Sequence, residues 1–371
     1  ERVSDGYKNM PAIVLTGTER NTLRNTNTLS YDFEKLFAKD SRHHLNMMVG
    51  QEYIITKERE MTNNLQGFPL GFDANDCFTL TTQGHPYEVN DYYSPNDILF
   101  SWFGRVNYDF DSKYLLSATF CADGSSKFAE GNRWGFFPSA AVAWRISAEP
   151  FMEGTRSWLD DLKLRFSYGT AGNNNIPGGQ IVQTWASSAT NFLNTTDIIW
   201  APSANMYNPD LKWETTITRN LGLDYTLFGG RLNGSLEYYW NTTKDLLILF
   251  RTAGTGYEGQ YRNMGETANR GFEATINWVA VNKPNFGLNF NANISFNKSE
   301  IKSLGMMNDF TQSSTWNSDI TGDFLVAVGG EVGQMYGYRN DGRYEVSDFT
   351  GYDEVNHQWI LRDDVVDSSP V

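Results

Sequence analysis

Residues 288–297 read LNFNANISFN, with Leu288, Phe290, Ala292, Ile294 and Phe296 alternating against Asn289, Asn291, Asn293, Ser295 and Asn297. Successive side chains of a strand point to opposite faces, so the segment has one apolar face and one amide or hydroxyl face. Ten residues suits a tilted strand crossing a bilayer, which needs about 9–11. A soluble sandwich strand with its apolar face turned inward would alternate in the same way. The solvent around the Phe face is therefore the question the pattern raises.

Nine further segments carry the same alternation, at 25–36, 44–56, 100–110, 114–124, 134–146, 162–169, 217–228, 231–241 and 270–280. In the pair 100–110 and 114–124, Val106, Tyr108 and Phe110 match Leu116, Ala118 and Phe120, while Arg105, Asn107 and Asp109 match Ser117, Thr119 and Asp123. In 162–169, Leu162, Leu164, Phe166 and Tyr168 oppose Lys163, Arg165 and Ser167; in 272–278, Phe272, Ala274, Ile276 and Trp278 oppose Glu273, Thr275 and Asn277. The joints alternate in length. Residues 111–113, and Gly229 with Gly230, read as tight hairpins, whereas 57–96, 170–213 and 242–268 are long and polar. Outer-membrane barrels keep that alternation, with short periplasmic turns and long extracellular loops. Aromatic residues gather at segment ends, among them Phe110, Tyr114, Trp144, Tyr225, Phe228, Tyr238, Trp240 and Trp278. Tyr and Trp favour the headgroup layer, so these positions fit an interfacial girdle.

Composition narrows the classes. Of 371 residues 15% are aromatic, yet only 20% are charged and mean hydropathy is −0.48, as expected of strands that are only half apolar. No uninterrupted apolar run approaches 18 residues, which excludes helical spans. A net charge of −14 without a basic patch argues against a nucleic-acid partner. Cys77 and Cys121 have no CxxC or nearby His partner and could pair or stay free; His43, His44, His85 and His357 lack metal-ligand spacing, so no cofactor is expected. The first residues, ERVSDGYKNM, are not a signal peptide, and the chain is expected to be processed or an internal piece.

Long runs at 100–176 (FGRVNYDFDSKYLLSATFCADGSSKFAEGNRWGFFPSAAVAWRISAEPFM and LKLRFSYGTAGNNNI) resemble the SusC/RagA family of TonB-dependent outer-membrane transporters. So do NPDLKWETTITRNLGLDYTLFGGRLNGSLEYYWNTTKDLL at 208–247, NMGETANRGFEATINW at 263–278 and YGYRNDGRYE at 336–345. TLSYDFEKLF and LNMMVGQEY look like the strands preceding them. The resemblance implies an all-β fold, a transmembrane antiparallel up-and-down β-barrel of about 22 strands with a plugged lumen. Residues 1–371 would form about half of that one domain, with the plug, the TonB box and the last strands not recognisable in this sequence. It further implies a Bacteroidetes-like outer-membrane importer of oligosaccharides, or in some members peptides. Such a protein works with a SusD-like surface lipoprotein and draws energy from the TonB-ExbB-ExbD complex. Cys121 stands where the family more often has Arg.

Candidate chemistry is sparse. GTGYEG at 254–259 is a literal G-x-G-x-x-G, but QYRNMGETANRG after it has no helical period, so a loop is the better account than a dinucleotide site. DGSSKFAEGNRW at 123–134 is expected to be a structural hairpin loop. No carboxylate pair, Ser–His–Asp set or metal cluster has a context for catalysis, so no enzyme is expected. Trp185, Trp200, Tyr207, Trp213 and Trp316 in the long loops are the candidate substrate contacts, their flat faces suiting sugar rings or peptide side chains. For any single one of them, packing loops together or sitting in the girdle is the favoured account. Arg105, Asp109, Arg165 and Glu273 are expected to line the lumen or meet the plug. A secreted carbohydrate-binding or hydrolytic β protein is the alternative, distinguished by its staying in aqueous solution without detergent.

Overall fold

A computed structural model describes residues 7, 9–33, 42–93, 95–190, 197–252, 254–313, 322–337, 342–355 and 357–365. The strands are β1 Ala12–Asp32, β2 His43–Gln66, β3 His85–Tyr93, β4 Asp97–Phe110, β5 Tyr114–Ser125, β6 Trp134–Arg145 and β7 Leu159–Asn173. Next come β8 Trp185–Thr190, β9 Asp197–Pro202, β10 Asn205–Met206, β11 Glu214–Leu227, β12 Leu232–Lys244, β13 Leu247–Arg251 and β14 Gly259–Asn263. The last are β15 Glu266–Lys283, β16 Phe286–Ser303, β17 Asp309–Gln312, β18 Phe324–Ala327, β19 Phe349–Asp353 and β20 Gln358–Leu361. One short helix, α1, spans Ala74–Thr79.

The chain divides into two compact units, Glu1–Asp309 with Ala327–Val332, and Phe310–Val326 with Gly333–Val371. In the smaller unit β19 and β20 form an antiparallel pair, with Trp359 packed on Phe349 and Tyr352 at ring distances of 5.5 and 5.2 Å. The larger unit is built on an eleven-stranded sheet. Ten strands run as a meander, β1-β2-β4-β5-β6-β7-β11-β12-β15-β16, and β3 folds back on β2. All ten segments expected from alternation are these ten strands.

The register turns the local alternation into continuous rows. Leu45, Tyr108, Leu116, Val142, Phe166, Leu221, Tyr238, Phe272 and Phe296 are successive cross-strand partners from β2 to β16. One residue along each strand lies a polar row, Asn46, Asn107, Ser117, Ala141, Ser167, Asn220, Tyr239, Gly271 and Asn297. In the apolar row, Leu116, Val142, Phe166, Leu221, Tyr238, Phe272 and Phe296 stand 39–62% exposed. Full burial of one such side chain is worth about 1.5–3 kcal/mol, so one row half-exposed to water would forgo on the order of 10 kcal/mol, comparable with the whole stability of a domain. The apolar face therefore calls for an apolar medium. On β11–β16 it ends at a belt where Arg219 lies over the Tyr168 ring at 5.8 Å, followed by Trp240, Arg270 and Lys298.

The sequence pattern underestimates β1 and β2, which begin at Ala12 and continue to Gln66, through much of what reads as a polar loop. A strand with water on both faces needs no apolar side, so it leaves no period-2 signal. Polar cross-strand pairs hold this extension: Thr16–Thr62 and Thr22–Thr56 hydroxyls at 3.2 Å, and Arg24 donating to Glu52 at 2.6 Å. At 21 residues, β1 is about 70 Å long, far more than a hydrocarbon layer of about 30 Å requires.

Short connections lie together at one edge: 111–113, 228–231 and 284–285. Asp111 and Ser112 have φ of 57° and 53°, the left-handed pair of a tight hairpin, and the Asp109 carboxylate accepts from Ser112 N at 2.7 Å. Asp109 thus fixes a turn. The connection 146–158 at this edge is longer than 126–133 at the other, so length alone does not assign every joint to its edge. Residues 146–158 carry Glu149, whose carboxylate accepts from Tyr114 Oη at 2.6 Å and Trp144 Nε1 at 3.1 Å. These bonds hold the Glu149 carboxyl below the usual glutamate range.

Candidate functional site

Two regions could act on a passing molecule: the polar face of the sheet and the platform of long connections at its far edge.

On the polar face the chain uses glycine to let side chains cross a strand. Arg165 of β7 pairs in register with Gly222 of β11, which pairs with Glu237 of β12. A Cβ at Gly222 would stand 2.6 Å from Arg165 Cζ, so only glycine leaves the guanidinium room to pass over. Arg165 then contacts Glu237 Oε1 at 2.5 Å and Asp224 Oδ1 at 3.1 Å. Lys163 takes the other oxygen of Asp224 at 2.9 Å, and Asn220 donates to Glu237 Oε2 at 3.0 Å. Tyr239 repeats the device, crossing Gly271 to donate to Asn297 Oδ1 at 3.1 Å. Arg105 donates to Thr119 Oγ1 at 3.2 Å, and Glu273 stands exposed beside Glu237. A face of crossed ion pairs and amides is stable against water or another polar body, and costly against lipid.

The platform is organised by a small core. Phe128, Phe137, Ile176, Leu211 and Trp213 are buried together, joined by Leu99, Cys121, Ile181, Leu247 and Tyr261. They come from three connections and the strand ends beside them. Trp213 Nε1 donates to Arg133 O at 2.9 Å and Asn174 to Ser125 Oγ at 2.9 Å. Phe137 lies across Gly172, where an added Cβ would clash at 2.0 Å. The segment 123–134 is the structural loop expected: Phe128 is its anchor, and Lys127 pairs with Asp97 at 3.2 Å.

The aromatic candidates separate on this platform. Trp213, 8% exposed, is part of the core, its ring packed against those of Phe128 and Phe137. Trp185 and Trp200 project on the hairpin of β8 and β9, 59% and 70% exposed. Their partners are Pro202 and Ser187, two residues apart on each strand, so both tryptophans stand on one face of the hairpin as diagonal neighbours. Tyr207, 41% exposed, lines a separate open groove of about 580 Å³ beside Arg262 and Gln260. Pattern reading did not single out those two residues, because only the pairing of β13 with β14 sets Gln260 opposite Phe250 and Arg262 over its ring. Trp316 lies outside the described residues.

GTGYEG connects β13 to β14, with Gly254 and Gly256 at φ of 78° and 83°; a strand follows it, not the helix a pyrophosphate needs. Cys77 and Cys121 are free. No group of metal-binding side chains, and no helix long and apolar enough to cross a membrane, occurs among the described residues.

An open meander with one apolar and one polar face, tight turns at one edge and a loop platform at the other, defines a wall of a transmembrane barrel. The chain belongs to the family described as "TonB dependent receptor-like, beta-barrel", whose sequence profile matches residues 4–365. It is therefore an outer-membrane β-barrel chain of the SusC/RagA type. It is 33% identical over 285 residues to the TonB-dependent receptor SusC of Bacteroides thetaiotaomicron, covering 74% of this chain and 27% of SusC. TonB-dependent receptor P3 of Formosa agariphila is 30% identical over 334 residues, 89% of this chain and 32% of that protein. The solved structure of the RagAB peptide transporter superposes with a TM-score of 0.72 at 25% identity, covering 86% of this chain and 33% of the other. The chain thus spans about a third or less of the length of these relatives.

Proposed function

We propose that residues 1–371 form part of one transmembrane barrel domain of a SusC-like, TonB-dependent importer, a transporter and not an enzyme. The observation that carries this reading is the pairing of an apolar row, continuous from Leu45 to Phe296, with a polar row of equal extent one residue away. The apolar rows face lipid and the polar rows face a plugged, water-filled lumen. A SusD-like surface lipoprotein closes over the loop platform, and TonB-ExbB-ExbD, acting on the plug, supplies the energy. The cargo is an oligosaccharide; a peptide is the second reading, and the likeness to the RagAB peptide transporter speaks for it. The shared face of Trp185 and Trp200 supports the glycan reading, since stacked sugar rings need adjacent flat apolar surfaces with polar rims.

Uptake of fluorescent oligosaccharides and oligopeptides by cells with and without the intact gene tests the proposal. Uptake of one class should vanish in the deletion and in a strain lacking TonB. Undiminished uptake of both classes in the deletion would refute the importer reading.

A further inference from the structure

The groove beside Tyr207 is built by the small sheet β10-β14-β13. One face of that sheet carries Leu247 and Tyr261, which pack against the platform core. Register places Ile248 opposite Arg262 and Phe250 opposite Gln260 on the other face. There the Arg262 guanidinium lies 4.7 Å above the centre of the Phe250 ring. Its Nε donates to Gln260 Oε1 at 2.7 Å, and Gln260 Nε2 donates to Tyr207 O at 2.8 Å. The fork is held on its flat side and along its stem, while Nη1 and Nη2 contact no carboxylate among the described residues. The other cation of the groove, Lys212, is already neutralised by Asp245 at 3.0 Å.

A positioned guanidinium with two free parallel donors recognises a planar anion with two acceptors. Resting on the importer reading above, we infer that this groove binds a carboxylate-bearing sugar residue, the carboxylate on Arg262 and the ring against Tyr207. Asp210 also lines the groove. Its carboxylate accepts hydroxyl hydrogens from a sugar, donors that glutamate or aspartate side chains do not carry, which favours a uronate over an acidic peptide.

The test uses the intact full-length receptor in detergent, titrated calorimetrically with tetragalacturonate, its methyl ester and tetraglutamate. The free acid should bind at least about tenfold more tightly than the ester, and Arg262→Gln should abolish that preference. Arg262→Lys, which keeps the charge but not the fork, should retain part of it and serves as the folding control. Equal binding of acid and ester, a preference that survives Arg262→Gln, or tighter binding of tetraglutamate would each overturn the inference. Uptake in cells is a separate readout: binding preserved without TonB-dependent uptake defeats the importer reading alone, and uptake indifferent to Arg262 defeats the uronate site alone.

Discussion

Gly222→Ala should break the side-chain ion pairing that Arg165 makes across three strands of the wall by adding one methyl group. The new Cβ would meet Arg165 at Cζ, Nε and Cγ at 2.6, 2.8 and 3.0 Å, so the guanidinium must leave its path to Glu237. Lys163 remains on Asp224 and Asn220 remains on Glu237, so neither carboxylate is wholly stranded. The side chains of Arg165, Asp224 and Glu237 are 32%, 29% and 26% exposed, between an exposed pair worth about 0.2–1 kcal/mol and a buried one costing 3–5 to break. The expected loss is about 1–2 kcal/mol. Equilibrium urea unfolding of the full-length receptor in lipid vesicles, followed by the heat-modifiable gel shift, measures it. The decisive comparison is a double-mutant cycle with Arg165→Gln. If the alanine acts by displacing the arginine, its cost should shrink by at least about 1 kcal/mol in the Gln background. An unchanged cost there would show that Arg165 does not cross Gly222 in the folded wall.

Three further outcomes follow from the same geometry. Ile294→Arg should destabilise the wall by about 2–4 kcal/mol and Asn293→Arg by far less, read from the same unfolding curves, because a cation at mid-bilayer on the lipid face is costly. Trp213→Ala should loosen the platform by about 3–5 kcal/mol and expose residues 174–213 to protease on intact cells, while Trp185→Ala leaves proteolysis unchanged and reduces uptake. The Glu149 carboxyl, held low first by Tyr114 and then by Trp144, stabilises the fold fully above the unfolded glutamate value of about 4.3 and loses that contribution as pH falls through its lower folded value. Glu149→Gln should therefore weaken the protein at neutral pH and flatten its acid limb in pH-dependent unfolding; an acid limb identical to wild type would count against the clamp.

The membrane-facing half of the fold was legible because a lipid-facing strand must alternate, and ten segments did. What alternation could not show lay where both faces meet water: the outer halves of β1 and β2, held by Thr–Thr and Arg–Glu pairs, and β3 folded back on β2. The polar wall was half legible. Arg165 and Glu273 read as lumen residues from face parity, but nothing in the alternation distinguishes Gly222, which only the register sets between Arg165 and Glu237. Among the loop aromatics, composition could not separate Trp213, sealed in a core assembled from three connections, from Trp185 and Trp200 on their open hairpin. Arg262 was invisible for the same reason, since its support comes from Phe250 on a neighbouring strand and Gln260 two residues away.

The central claim is that the Phe side of LNFNANISFN faces lipid and the Asn side does not. Nitroxide labels placed singly from 288 to 297 in a full-length receptor lacking Cys77 and Cys121, reconstituted in vesicles, report this directly through collision with oxygen and with a water-soluble nickel chelate. Positions 288, 290, 292, 294 and 296 should collide chiefly with oxygen, which concentrates in hydrocarbon. Positions 289, 291, 293, 295 and 297 should show low oxygen collision, giving a period of two along the strand. Nickel collision as strong at 290, 294 and 296 as at a surface loop would contradict the account.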